Sequence, residues 1–421
     1  MSASIEEPSG PRMRVLWLST FAFTLLFAVW LMFGVLGLKI REELGLTPAQ
    51  FEWLLATAIL AGALPRLNFG VWADQLGGRV MMTALLAFTA IPTYFVTRAT
   101  NFEELLACAA LFGLAGNSFT VGISWVAAWY PASSKGTALG VFGAGNVGAS
   151  VTKFLGPVML ASVPAAGWFG GVIPGGWRSV PIVYSVLLLV TAAAVWFLSP
   201  SPDRKPGRGR ATKDLYAPLK YARVWRFSLY YVVVFGAYVA LAGWLPKYYV
   251  DVYGLTPANA GYLTALFIFP ASLLRPLGGW LSDKFGPRIV TYAVFVGMTA
   301  ALGVLSVLPV GVAAFTALVF VVGVGMGVGK ASVYKYVPNY FPMDVGAVGG
   351  LVGMLGALGG FVLPPAFGAI GRATGTPQTA FFALLALTVA SLVWLHVTVM
   401  RLKAAERRAE ELETATVAVG V

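Results

Sequence analysis

Apolar positions along this chain fall into long runs, separated by short clusters of charged residues, prolines and glycines. Runs of about 20 apolar residues match the length an α-helix needs to cross a bilayer. Twelve are expected to be helices, over residues 16–37, 53–73, 80–99, 104–129, 136–161, 180–199, 224–246, 259–281, 289–309, 313–337, 345–370 and 378–400. A soluble core has no use for that much apolar surface. The pattern predicts an all-α membrane protein of twelve transmembrane helices. The first run is too long for a signal-peptide core and lacks a small-residue cleavage site, so it is expected to remain as a helix.

The polar interruptions repeat. GLTPA stands at Gly45–Ala49 and again at Gly254–Ala258, 209 residues later. Downstream, RLNFGVWADQLGGR is matched at the same offset by RPLGGWLSDKFGPR, so that Arg66, Gly70, Asp74, Gly77 and Arg79 return as Arg275, Gly279, Asp283, Gly286 and Arg288. The chain is a duplication. Two pseudo-symmetric six-helix halves are expected, residues 1–200 and 224–421, joined by the linker SPDRKPGRGRATKDLYAPLK within 201–223.

Composition agrees: 58% of residues are apolar and 11% charged, against roughly half and a quarter in soluble domains. The net charge of +12 would suggest nucleic acid in a soluble protein, but its placement argues otherwise. With an even number of helices, 18 of 29 basic residues fall on the side that holds both termini and the linker, and six fall opposite. Both termini are therefore expected in the cytoplasm, with the protein in the cytoplasmic membrane. The basic linker reads as a topology signal rather than a binding site. Cys108 is the one cysteine, so no disulfide forms within the chain.

Five cations remain inside predicted spans: Arg66, Lys153, Arg275, Lys330 and Lys335. Each duplicated arginine lies eight residues before its loop aspartate, about 12 Å along a helix and near the middle of the bilayer. A charge there costs at least about 2.5–3.5 kcal/mol, so it should face a cavity and meet a partner. All 17 acids fall at termini, in loops or at helix ends. Cations without mid-span carboxylates point to an anion, and two symmetry-related guanidinium forks suit a single oxyanion.

Other residues refine the ligand. Tyr231, Phe235 and Tyr238 lie three or four apart, on one face of the seventh helix. Glycine stripes in GVFGAGNVGA (residues 140–149) and over residues 346–360 let helices approach closely and rock. Asn146 interrupts the first stripe and should face the cavity or bond across helices. Gly70 and Gly279 permit close helix contact, while Asp74 and Asp283 end helices within reach of cations.

The repeated G-x-x-x-D-x-x-G-x-R element, with Gly70, Asp74 and Arg79 and then Gly279, Asp283 and Arg288, resembles the loop signature of the major facilitator superfamily, whose substrate sites lie near the midplane between halves. GTALGVFGAGNVGASVTKFLGP and GAVGGLVGMLGALGGFVLPP are similar to the paired nitrate signatures of its nitrate/nitrite porter family. The helix ends Trp129–Pro131 and Tyr340–Pro342 fit as well. The resemblance covers nearly the whole chain outside the tails and linker. It implies that the repeated loops close a cytoplasmic gate. It also implies that Arg66 and Arg275 clamp a planar anion, that Tyr231, Phe235 and Phe119 lie over it, that Asn146 lines the site, and that Gly143 and Gly353 flank it. Lys330 stands where many exchangers of the family have asparagine. With Lys153 and Lys335 it looks like the branch of nitrate–proton symporters. The alternative is that these lysines pair with backbone carbonyls or lie near the cytoplasmic end, a reading that weighs equally for Lys335, seven residues before Pro342.

The expected function is therefore nitrate transport, with nitrite as a possible second ion, by a monomer that needs no cofactor or metal and is driven by protons. No mid-span carboxylate or histidine is available, so the proton must ride on a lysine whose charge burial disfavours, on water, or with the anion. Electroneutral nitrate/nitrite exchange is the main alternative, and phosphate or organophosphate exchange a further one. An anion channel or a non-transporting sensor belongs to another class. A channel has no need of closable motifs in both halves, and tails of about 15 and 20 residues leave no room for a sensor's output domain.

Overall fold

The computed structural model describes residues 9–150, 152, 162–164, 167, 168, 170 and 173–419. Among them, ten helices are long and apolar enough to cross a membrane, and a helix pair bent by 41° makes an eleventh. Together with the short helix α5 (Lys135–Gly143), which is not counted among those eleven, the helices in chain order are α1 (Ser9–Trp30, resumed at Phe33–Leu44), α2 (Pro48–Ala63 and Arg66–Leu76), α3 (Gly78–Val96), α4 (Phe102–Phe112 and Ser118–Trp129), α5, α6 (Ser179–Leu198), α7 (Ala222–Tyr253), the bent pair α8 (Pro257–Leu273 and Arg275–Phe285), α9 (Pro287–Val307), α10 (Val312–Tyr340), α11 (Val345–Thr374) and α12 (Thr379–Val419). The fold is all-α, as expected. α5 opens the run expected over 136–161 and is followed by a 3-10 turn at Ala144–Val147; Lys153 lies outside the described residues.

The GLTPA repeat is a stop–start device. Gly45 and Gly254 end α1 and α7 in the left-handed conformation, at φ 62° and 65°, which glycine adopts without strain. Thr47 and Thr256 then cap the next helix by accepting the N–H of Gln50 and Asn259 at 3.2 and 3.3 Å. Pro48 and Pro257 fill the first helical turn, where no N–H partner is needed.

α2 and α8 are both broken just before the duplicated arginines, at Leu64–Pro65 and at Leu274. Pro65 has no N–H to give to the Ala61 carbonyl one turn back, and Asn117 Nδ2 takes that carbonyl at 3.3 Å. A break in mid-membrane leaves helix-end carbonyls that attract cations. The apolar pattern alone conceals these breaks.

The second pieces of α2 and α8 cross the opposite set of helices at close range. Arg66–Leu76 packs on α11, and Arg275–Phe285 on α5. Backbone meets backbone at both crossings: a Cβ on Gly70 would run into the Gly346 carbonyl, and one on Gly279 into that of Gly136.

Residues 203–220 are more than a spacer. The Asp203 carboxylate accepts the indole N–H groups of Trp125 (3.0 Å) and Trp129 (3.1 Å) and the backbone N–H of Arg79 (2.9 Å). Gly207 N–H donates to the Asp74 carbonyl at 2.9 Å, and the Tyr216 hydroxyl to Asn68 at 2.7 Å. Leu215 is wholly buried against Val71 of α2 and Ala347 of α11, while Arg210 pairs with Asp344 at 2.7 Å. The segment is a strap across the seam of the bundle, and its face is called the linker side below.

Candidate functional site

Both duplicated arginines are 1% exposed. Arg66 Nε donates to the Gly62 carbonyl at 2.8 Å, a group left over by the break in α2, and Nη1 donates to the Gly353 carbonyl of α11 at 3.0 Å. Its Nη2 is buried with no partner. Arg275 Nη2 reaches the Tyr231 hydroxyl at 3.5 Å, while its Nε and Nη1 are buried without partners. Both guanidinium groups lie over the ring of Phe119, at 6.0 Å for Arg66 and 5.2 Å for Arg275. The structure thus brings together Arg66, Arg275, Phe119, Tyr231 and Gly353.

Gly143 belongs to the same cluster, since a Cβ there would strike the Arg275 guanidinium at about 2.5 Å. Phe235 stacks on Tyr231 at 5.0 Å. A π-turn over Val232–Gly236 widens α7 between these two aromatics, a feature often found at functional sites. Asn146 is 3% exposed in the 3-10 turn after α5, and its Nδ2 has no partner.

Two aromatic residues escaped the sequence reading. Tyr334 of α10 sits edge-on to Phe119 (5.0 Å) and to Tyr231 (4.6 Å), its hydroxyl donating to the Gly349 carbonyl at 2.9 Å. Trp30 lies 5.3 Å from the Arg66 guanidinium. A signal existed for Tyr334, four residues and one turn beyond Lys330. Trp30, inside an apolar run, carried none.

The lysines separate. Lys330 is fully buried, donates to the Ala271 carbonyl at 2.9 Å in the last turn before the α8 break, and lies 3.2 Å from the centre of the Tyr238 ring. Lys335 instead pairs with Asp283 at 2.5 Å and also meets the Ala132 carbonyl. Lys335 thus has a carboxylate partner, unlike the other described cations expected inside spans, and agrees with the alternative that it lies near the helix end. One further turn of α10 carries it to the linker side, where the α8 motif ends.

The two motif aspartates do matching work there. Asp74 lies at a helix end as expected but is wholly buried, so the core does hold a buried carboxylate; it accepts the Gly346 N–H at the start of α11 (2.9 Å) and the Ser124 hydroxyl (2.5 Å). Asp283 accepts the N–H groups of Gly136 (2.9 Å) and Thr137 (2.6 Å) at the start of α5. Each carboxylate caps a helix N-terminus of the opposite six-helix set, a favourable charge–dipole arrangement. Arg79 donates to the Trp196 carbonyl at 2.6 Å, and Arg288 lines a shallow groove with Phe285 and Tyr340.

Away from the linker side the bundle opens. A cavity of about 290 Å³ is lined by residues that include Phe27, Trp30, Ala58, Ser150, Tyr238 and Ile268. A groove of about 620 Å³ parts α2 from α11 between Ala49–Ile59 and Gly360–Pro365. The arginines lie between this vestibule and the closed face.

The Major Facilitator Superfamily model matches residues 16–262 and 252–419. The "Probable nitrate/nitrite antiporter NarK1" of Thermus thermophilus is 58% identical over 95% of this chain and 94% of its own length. The "Nitrite extrusion protein" of Bacillus subtilis is 31% identical over 88% and 91%. Among solved structures, the superfamily transporter FucP in its outward conformation superposes with a TM-score of 0.74 at 17% identity, covering 91% of this chain and 98% of that one. Fold, repeated motifs and these relatives agree: the chain belongs to the nitrate/nitrite porters of the major facilitator superfamily, a family of multi-pass membrane transporters.

Proposed function

We propose that this protein transports nitrate across the cytoplasmic membrane by alternating access. Its halves, residues 1–200 and 224–421, rock about a central site, and both termini and the 201–223 linker are cytoplasmic. One observation carries the reading. Arg66 and Arg275 share the Phe119 ring and keep buried N–H donors unbonded, with no carboxylate partner among the described residues. Leaving such donors unmet costs about 1–3 kcal/mol each, more for charged groups, and a planar oxyanion meets several at once. Phe119, Tyr231, Phe235 and Tyr334 form walls suited to a flat ion. The relatives' names point to nitrate and nitrite. A single chain supplies every one of these residues, which favours a monomer.

In this reading nitrate enters from the vestibule and bridges the arginines. The linker side then opens as Asp74 and Asp283 release α11 and α5. For coupling we favour a proton carried on Lys330. Its partners are a carbonyl and an aromatic ring, so an amine that sheds its proton leaves no orphan carboxylate behind. Lys335, paired with Asp283, serves the gate. Exchange of nitrate for nitrite through the same arginines is the second reading, supported by the name of the 58% identical relative.

Counterflow in proteoliposomes tests the substrate: labelled nitrate should exchange with nitrate or nitrite and not with phosphate. An imposed pH gradient without internal nitrite tests the coupling. Uptake that needs internal nitrite and ignores the gradient would establish exchange.

A further inference from the structure

Two buried cations near the vestibule are covered in the same manner. Trp30 lies under the Arg66 guanidinium, and Tyr238 lies under the Lys330 ammonium. Both rings also line the vestibule. They come from α1 and α7, and the 209-residue offset of the duplication carries Trp30 to Val239, beside Tyr238.

Each ring is held from several directions. Trp30 Nε1 donates to the Ala58 carbonyl at 2.7 Å, and the indole occupies a notch between α2 and α4 that a Cβ on Gly62 or Gly116 would fill. Tyr238 shares a hydrogen bond with Ser272 at 2.9 Å and touches Phe267, ring centres 5.8 Å apart. Both stand at irregular points: α1 breaks straight after Trp30, and α7 leaves its π-turn two residues before Tyr238.

We propose that Trp30 and Tyr238 are the specificity-determining lid of the anion site on the vestibule side. The cavity beneath the rings is lined mainly by apolar residues such as Phe27, Leu55, Ile59, Val239 and Ile268, with no charged side chain among its described lining, while Glu52 lines the neighbouring groove. An arriving anion must shed water there before any cation can compensate it, because the rings cover Arg66 and Lys330. Desolvation costs a weakly hydrated, delocalised anion far less than phosphate, acetate or chloride. The lid therefore selects by hydration before the arginine forks select by shape. The proposal rests on the nitrate reading for its ion, but the cover itself is independent of which ion is carried.

Two measurements test it. In proteoliposomes, Trp30→Ala and Tyr238→Leu should each let chloride, acetate and phosphate inhibit labelled nitrate uptake at concentrations at least tenfold lower than in the parent. Trp30→Phe, which keeps a ring face towards Arg66, should stay within about threefold of it. Should Trp30→Ala fail to fold, Tyr238→Leu and Trp30→Phe still give the comparison. The second arm needs no transported ion. In a Cys108→Ala background, a thiol placed by Phe119→Cys lies beyond the lid, and removing either ring should raise its modification rate by an anionic methanethiosulfonate at least tenfold. A labelling rate and an inhibition profile both within twofold of the ring-bearing protein would overturn the lid. Absence of nitrate counterflow in the parent would overturn the nitrate reading alone, and the labelling arm would still decide the lid.

Discussion

Arg66 Nη1 donates to the backbone carbonyl of Gly353 at 3.0 Å, across 287 residues of sequence. The guanidinium of one six-helix set is thus fixed by the backbone of the other, with one nitrogen left free to meet a ligand. Gly353 acts through its carbonyl, and a Cβ there would come within 2.8 Å of the Tyr334 hydroxyl.

A lysine cannot replace that fork. Arg66→Lys keeps the charge but loses the paired bonds to Gly62 and Gly353, so nitrate counterflow should fall by about 10²-fold or more. Arg275→Lys should do the same. Elution of both variants as folded, detergent-stable protein separates this from misfolding. Near-parental rates in both would remove the central pair from the mechanism.

Phe235→Ala removes the ring stacked on Tyr231 and near Lys330, at 5.0 and 5.7 Å. Nitrate affinity should weaken about tenfold, in line with the 0.5–1.5 kcal/mol of an aromatic pair plus some lost packing. Competition binding in detergent measures it. An unchanged affinity would leave α7 as a packing face.

Lys330→Asn separates the two coupling schemes. The variant should lose nitrate accumulation driven by an inward proton gradient while keeping nitrate counterflow. Loss of both activities together would make Lys330 a binding group instead.

Lys335→Ala leaves Asp283 with its N–H partners on α5 but removes its only ion pair among the described residues. The closed face should loosen. A cysteine at Thr137 should react about tenfold faster with a linker-side reagent, as expected when a buried charge loses its partner. Equal reactivity would show that the helix caps alone hold the face shut.

The sequence disclosed most of what is duplicated or costly. Helix count, the repeated motif and the arginine pair were readable because apolar length, a 209-residue offset and buried charge each leave a strong signal. What depends on three-dimensional register was not readable. Nothing in LPRLN announces that Arg66 follows a helix break, since prolines also occur within continuous helices of this chain, such as Pro92 in α3. The seven residues from Lys335 to Pro342 hinted that it lies nearer the helix end than Lys330, but not that it meets the Asp283 carboxylate while Lys330 meets a carbonyl and a ring. Trp30 was hidden because an indole among apolar neighbours reads as packing.

If the protein works by alternating access as proposed, Leu215 would set how readily the linker side opens. Its side chain is wedged between Val71 and Ala347, so α2 and α11 cannot part at the linker side until it withdraws. Undocking a buried leucine costs about 1.5–3 kcal/mol, which in that cycle would give a roughly tenfold to hundredfold bias towards the vestibule-open state. Two carriers with identical anion sites would therefore idle in different conformations, and turn over at different speeds, through the strength of this one plug. Leu215→Ala should expose the seam to protease and favour the opposite conformation without altering which anions compete. The strap then works as a governor on an engine whose fuel it never touches.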